Sequence, residues 1–83
     1  MSYIEKKRWY SANSIIKKEF FSWIRSLPTL TKWIDENPEI FKAIIKNGKE
    51  GKRYYLKGEI ISEIIKKAEK GELKVGLLPE SNN

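Results

Sequence analysis

Apolar residues recur at helical spacing along several short segments of this chain. The clearest segment is 27–36, where Leu30, Trp33 and Ile34 stand at positions i, i+3 and i+4 and define one buried stripe. Ser26 before it is a typical N-cap, and Pro28 suits the first turn of a helix. The pattern predicts a helix over residues 27–36. Its outer face then carries Pro28, Thr31, Lys32 and Asp35.

Two further helices are predicted on either side of this one. Ser11 can cap a helix over residues 12–19, whose end is blurred by the apolar run 20–24, which either extends the helix or forms a packed turn. The last helix, over residues 59–70, has Glu at its start, Lys at its end and Gly71 as its C-cap. One face of it is apolar: Ile60, Ile61, Ile64, Ile65 and Ala68.

The segment between these helices carries two glycines, Gly48 and Gly51, with apolar flanks. Such a pattern predicts a β-hairpin, with strands over residues 42–46 and 53–56. An alternative is a helix over residues 38–46 with Asn37 as its cap and Pro38 as its first residue. Strand alternation sends Tyr54 and Tyr55 to opposite faces, so one of them is expected to be exposed.

The amino-acid composition excludes several classes of protein function. The 83 residues suit one small domain, and the absence of Cys and His removes disulfides, thiolate zinc sites and the usual general base. Carboxylates and glycines match no catalytic or nucleotide-binding spacing, so we expect a non-enzyme without cofactor or metal. With 17 Lys plus Arg against 11 Asp plus Glu, the net charge of +6 favours a polyanionic partner.

The sequence also indicates where in the cell the protein is expected. No stretch of the sequence is apolar for long enough to span a membrane, and the N-terminal residues lack the apolar region of a signal peptide. We therefore expect a cytoplasmic protein without membrane contact, associated with the nucleoid.

The order of elements is a short aromatic strand, helix, turn, helix, hairpin and helix. This order predicts a winged helix-turn-helix, mainly α with a small β-hairpin, over residues 1–75, followed by a flexible tail over residues 76–83. A recognition helix over about 26–36 enters the major groove of double-stranded DNA, and a basic wing over about 46–57 meets the backbone or the minor groove.

The stretch Ser26-Leu27-Pro28-Thr29-Leu30-Thr31-Lys32-Trp33-Ile34 resembles the S-x-x-T-[LV]-x-[KR]-W-I pattern of MerR-like and phage excisionase-like DNA-binding domains. The resemblance continues through Tyr10-Ser11-Ala12-Asn13-Ser14-Ile15 and Gly51-Lys52-Arg53-Tyr54-Tyr55-Leu56-Lys57, and it covers residues 9–73. Arg25, in place of a small apolar residue, and a longer interval before Ser26 depart from the pattern, and Ile24 is expected to supply the buried contact. The resemblance implies a transcriptional regulator or an excisionase-type recombination factor. It also implies binding as several copies, with a recombinase as a possible protein partner.

The candidate DNA contacts divide between the two elements. On the recognition helix, hydroxyl and ammonium groups can meet base edges or phosphates, and apolar side chains can meet thymine methyl groups. On the wing, cations can follow the backbone, with Arg53 the best suited to bidentate phosphate contact. The candidates are Arg25, Ser26, Leu27, Pro28, Thr31, Lys32, Lys49, Lys52, Arg53 and Tyr54.

Two other functions compete with duplex binding. A protein-interaction module would dock a partner on the Ile-rich last helix and the Leu77-Leu78 segment. A single-stranded nucleic-acid binder would stack bases on exposed aromatic rings, although most of these rings suit the core better. The aromatic candidates are Trp9, Trp23, Trp33, Phe41 and Tyr55.

Overall fold

A computed structural model describes residues 3–73 of the chain. Within that range the elements follow in this order: β1 (Trp9–Ser11), α1 (Ala12–Lys17), α2 (Leu27–Glu36), α3 (Pro38–Phe41), β2 (Ile44–Gly48), β3 (Gly51–Lys57) and α4 (Gly58–Glu69). The predicted tail over residues 76–83 lies outside the described residues. Among residues 3–73, no helix combines the length and the apolar character that crossing a membrane requires.

The three strands form one antiparallel sheet with β3 in the centre, in the order β1-β3-β2. β1 pairs Tyr10 with Leu56, and β2 pairs Ile45 with Tyr54. The hairpin closes between Gly48 and Gly51 around the two-residue loop Lys49-Glu50, and Gly51 has the positive φ of 112° that glycine accepts without strain. The described residues thus form a small mixed α/β domain and not the mainly α domain that was predicted, because the predicted aromatic strand, β1, pairs with the hairpin as a third strand.

The hairpin prediction is confirmed, but its strands are displaced from the predicted bounds. Residues 38–41, which the alternative assigned to a helix, do form the short α3, with Pro38 as the first residue. Lys42 then adopts the left-handed conformation with φ 48°, which ends that turn before β2 begins at Ile44. Both interpretations of this segment were therefore partly right, because one helical turn and a strand share it.

The three predicted helices all form, with bounds close to the predicted ones. α2 has the predicted bounds, and the Ser26 side chain accepts a hydrogen bond from the Thr29 amide at 3.3 Å. α1 stops at Lys17, two residues earlier than predicted, and Glu19 follows with a φ of 55°. α4 is displaced by one residue from its predicted bounds, and Gly71 follows it with a φ of 69°.

One core joins the sheet to the helices. Its most buried members come from four different elements: Ile15 of α1, Leu30 of α2, Leu56 of β3 and Ile61 of α4. Phe20, Phe21 and Ile24 fill the turn between α1 and α2, so the apolar run after α1 is a packed turn, as one of the two sequence alternatives predicted, and Ile24 is buried as expected. This core holds α2 beside the hairpin, because both elements contribute side chains to it.

Candidate nucleic-acid interface

A cleft of about 250 Å³ lies between the start of α1, the start of α2 and the wing strand β3. Leu27 and Thr31 line it from α2, and Lys52 and Arg53 line it from β3. The fold therefore places the exposed side of the predicted recognition helix next to the basic strand of the wing. These residues are separated by about twenty positions in the sequence and meet because α2 and β3 share one core.

The hydroxyl groups at the start of α2 are already engaged within the helix. Ser26 Oγ donates to Thr29 Oγ1 at 2.7 Å while it caps the helix, and Thr31 Oγ1 donates to the Pro28 carbonyl at 3.1 Å. Thr31 keeps its oxygen lone pairs and its methyl group for an outside partner. It can accept a hydrogen bond from a base amino group or contact a thymine methyl, whereas donation would cost the bond to Pro28.

The wing carries most of the positive charge near the cleft. Lys49 in the loop and Lys52 and Arg53 in β3 are exposed. Arg53 Nη2 lies 3.8 Å from Glu50 Oε2, and both side chains are largely exposed. This ion pair is therefore weak, and Arg53 can leave Glu50 to bind a phosphate. Within the described range, Lys32, Lys49 and Lys52 form no ion pair and can approach a phosphate without losing an internal partner.

Tyr54, the remaining candidate of β3, lines the cleft but is almost fully buried. Its side chain is 9% exposed, and its hydroxyl donates to both carboxylate oxygens of Asp35 at 2.9 and 3.1 Å. Tyr55 is the more exposed of the two neighbouring tyrosines. Tyr54 thus lines the cleft from its base and connects β3 to α2, because strand alternation turns it toward the core.

Five candidates are exposed but do not line the cleft: Arg25, Ser26, Pro28, Lys32 and Lys49. Arg25 and Lys32 flank the cleft along α2, one before the helix and one near its middle. Lys49 lies at the tip of the wing. The cleft therefore contains Leu27, Thr31, Lys52, Arg53 and Tyr54, and the other candidates are exposed outside it on α2, before α2 and on the hairpin loop.

Four residues of the cleft were not among the sequence candidates: Ser11, Ala12, Asn13 and Glu50. Asn13 is exposed in the first turn of α1, and its amide can donate to a phosphate or accept from a base. Only the packing of α1 against β3 brings it beside Lys52, so no local sequence signal marks it. The sequence does show that Glu50 is the single acidic residue of the wing. It places a negative charge in a segment whose other charged residues are all basic.

The Ile-rich face of α4 belongs to the core. Ile60, Ile61 and Ile64 are buried, and Ile65 and Ala68 pack against them. A partner cannot dock on these three side chains without unfolding the domain. This corrects the alternative that the face forms an interaction surface, and the Leu77-Leu78 segment proposed to act with it lies outside the described residues.

Residues 3–73 contain no group of carboxylates arranged to hold a metal ion. No protein-family model, no curated protein and no solved structure matches this chain.

Proposed function

We propose that this protein binds double-stranded DNA through α2 and the β2–β3 wing, as a winged helix-turn-helix domain. The observation that carries the proposal is the cleft in which Leu27 and Thr31 of α2 face Lys52 and Arg53 of the wing. An α-helix with its side chains is about 10–12 Å in diameter and therefore fits the major groove, which is about 12 Å wide. With ten residues, α2 is about 15 Å long. The wing then follows the adjoining backbone or enters the minor groove.

The roles of the residues follow from their chemistry. Thr31 and Lys32 contact base edges in the major groove, and Leu27 and Pro28 provide apolar contact at the start of the helix. Arg25, Lys49, Lys52 and Arg53 neutralise phosphates. Ser26 contributes mainly as the cap of α2, since its hydroxyl is engaged within the helix.

A domain of this size makes few contacts with DNA, so binding as several copies on neighbouring sites fits the proposal. The biological roles that the sequence resemblance implies are regulation of transcription and excisionase-type recombination, the latter with a recombinase as partner. Both roles place the protein at the nucleoid in the cytoplasm.

The proposal is tested by fluorescence anisotropy with a labelled duplex from upstream of the protein's own gene and a scrambled duplex of equal length. Four phosphate contacts, through Arg25, Lys49, Lys52 and Arg53, predict a slope of about −3.6 for log K against log salt, or about a 150-fold loss of affinity between 50 and 200 mM salt. Preference for the upstream duplex supports a sequence-specific reader. Absence of duplex binding at 50 mM salt contradicts the proposal.

A further inference from the structure

The sheet has a second face that the core does not use and that meets the cleft at Arg53. Tyr10, Tyr54 and Leu56 point to the core, so alternation sends their neighbours Trp9, Tyr55 and Lys57 to the opposite side. Arg53, two residues before Tyr55, lies on the same side. On β2, Ile44 is paired with Tyr55 and Lys46 is paired with Arg53, so both also lie on this side. We call this surface the outer sheet face; it comprises Trp9, Ile44, Lys46, Arg53, Tyr55 and Lys57.

Large apolar side chains are exposed on this face. Trp9 is 41% exposed and Ile44 is 42% exposed, and both are among the few large apolar residues that the described part of the chain leaves open to solvent. Tyr55 lies between them on the central strand, directly opposite Ile44 and diagonal to Trp9. Diagonal neighbours on a sheet are about 7–8 Å apart, which is within reach of two large rings that share one ligand.

Cations surround these rings. Lys57 lies directly opposite Trp9, and Lys46 lies opposite Arg53 on the neighbouring strand. The Lys46 ammonium lies 5.6 Å from the centre of the Tyr55 ring, so charge and aromatic surface are in contact. Lys57 and Arg53 each have one carboxylate nearby, Glu59 at 3.4 Å and Glu50 at 3.8 Å, in pairs that water screens.

We infer that the outer sheet face binds a segment of single-stranded nucleic acid. Its bases stack on Trp9 and Tyr55, and its phosphates are neutralised by Lys46, Arg53 and Lys57. Single strands combine a polyanionic backbone with planar bases, which is the chemistry that a basic surface with adjacent rings accommodates. A sheet that presents aromatic residues on neighbouring strands is an effective platform for this purpose. A duplex hides its bases within the stack and cannot use these rings.

The proposed duplex interface is separate from this platform. Trp9 and Tyr55 lie at the β1 end of the sheet, whereas the duplex contacts lie on α2 and toward the hairpin loop. Only Arg53 is shared. The two activities can therefore be removed independently, and the inference does not rest on the duplex proposal.

The test uses the full chain with a labelled twelve-residue oligothymidine, an oligouridine of the same length, and an abasic strand with the same number of phosphates. We expect quenching of Trp fluorescence by the oligothymidine or the oligouridine, and much weaker binding of the abasic strand. Where only one of these two binds, an oligodeoxyuridine of the same length, which has the sugar of the first and the base of the second, separates the effect of the sugar from that of the thymine methyl group. Equal binding of the abasic strand and an absence of quenching both overturn the inference.

Substitutions locate the site. Trp9→Thr retains a residue that favours strands, and it is expected to lower oligonucleotide affinity about 5- to 150-fold, the range for loss of one stacked base. Lys46→Ala is expected to weaken binding, while Lys18→Ala, an equal charge change at an exposed position of the α1 C-cap, serves as its control. Circular dichroism melts establish that each variant folds. If Trp9→Thr does not fold, the oligonucleotide affinities of Lys46→Ala and Lys18→Ala are compared. Equal losses of affinity in these two variants overturn the inference.

Duplex binding is measured on the same variants. We expect Trp9→Thr to retain duplex affinity and Lys32→Ala to retain oligothymidine affinity. An unaltered chain that binds the oligonucleotides but does not bind the duplex contradicts the proposed function alone. Retained duplex binding in a chain that fails to bind either oligonucleotide overturns this inference alone. An oligoglutamate peptide that binds as tightly as the oligothymidine, with the same dependence on Trp9, also overturns it, since the face would then be an acidic-peptide site.

Discussion

The hydroxyl of Tyr54 donates to the carboxylate of Asp35 and thereby connects the central strand of the sheet to the last turn of α2. Asp35 lies on the same helix as Thr31 and Lys32, and Tyr54 follows Lys52 and Arg53 along β3. This hydrogen bond is therefore positioned to set the angle between the proposed recognition helix and the wing.

Replacing Tyr54 with Phe removes only the hydroxyl group. We expect a loss of about 1 kcal/mol in unfolding free energy, since the acceptor is charged but partly hydrated. We also expect a severalfold loss of duplex affinity, because the core alone then sets the position of α2 relative to the wing. Urea unfolding and anisotropy measure the two effects. Tyr55→Phe is the matched control, since the Tyr55 hydroxyl has no hydrogen-bond partner among the described residues. Equal effects of the two variants would remove the positioning role.

The same hydrogen bond predicts a dependence of stability on pH. Donation to Asp35, followed by burial, raises the pKa of Tyr54 above its ordinary value of 10.0. The unfolded chain therefore loses this proton before the folded protein does, and the stabilisation is complete below about pH 10 and declines as the pH rises toward the folded pKa. Urea unfolding from pH 8 to 11 should show the advantage of wild type over Tyr54→Phe shrinking at high pH. An advantage that stays constant would contradict the assignment.

Glu50 places a negative charge in the wing beside Arg53. Glu50→Gln should raise duplex affinity about two- to fivefold, because it removes repulsion from phosphates and releases Arg53 from a weak surface pair. Stability should change little. Glu69→Gln makes the same charge change at the distant end of α4 and is the control in the anisotropy measurement. An equal gain in both variants would mean that net charge alone determines affinity.

Lys32 and Arg53 have different proposed roles on DNA. Lys32→Ala should reduce the preference for the upstream duplex over the scrambled one, because its proposed contact is with base edges. Arg53→Ala should weaken binding to both duplexes alike and reduce the magnitude of the salt slope by about 1. Anisotropy at several salt concentrations separates the two. If Lys32→Ala lowers the affinity for both duplexes equally, as Arg53→Ala is expected to do, Lys32 does not contact a base.

Gly58, the first residue of α4, allows the N-terminal turn to approach the helix. An added Cβ there would overlap the Glu5 carbonyl oxygen and lie 2.7 Å from its carbon, while the Gly58 amide donates to Arg8 O at 2.8 Å. We expect Gly58→Ala to cost about 1–3 kcal/mol despite the better helix propensity of alanine. Thermal unfolding measures the loss. Gly48→Ala is the control, because its Cβ would make only an ordinary contact of 3.6 Å with Gly51 O. A Gly58→Ala variant as stable as wild type would show that the N-terminal turn does not pack here in solution.

Local sequence signals predicted much of the secondary structure. Ser26 and Pro28 marked the start of α2, and Asn37-Pro38 marked its end, because capping and the constraints of proline act within a few residues. The stripe of Leu30 and Ile34 is buried as its spacing predicted. Gly71 follows α4, where its amide donates to Ala68 O and the amide of Glu72 donates to Lys67 O.

Long-range packing decided the rest. Alternation requires Tyr54 and Tyr55 to face opposite ways, but only the pairing of β3 with β1 and β2 determines that Tyr54 meets Asp35 and Tyr55 lies beside Trp9. The cleft that Asn13 and Lys52 both line and the outer sheet face also depend on long-range packing. The sequence by itself determined where the helices and the hairpin form, because those signals are local. Tertiary structure alone decided which side chains share a surface, because strand register and the choice of core face arise from contacts between residues far apart in the chain.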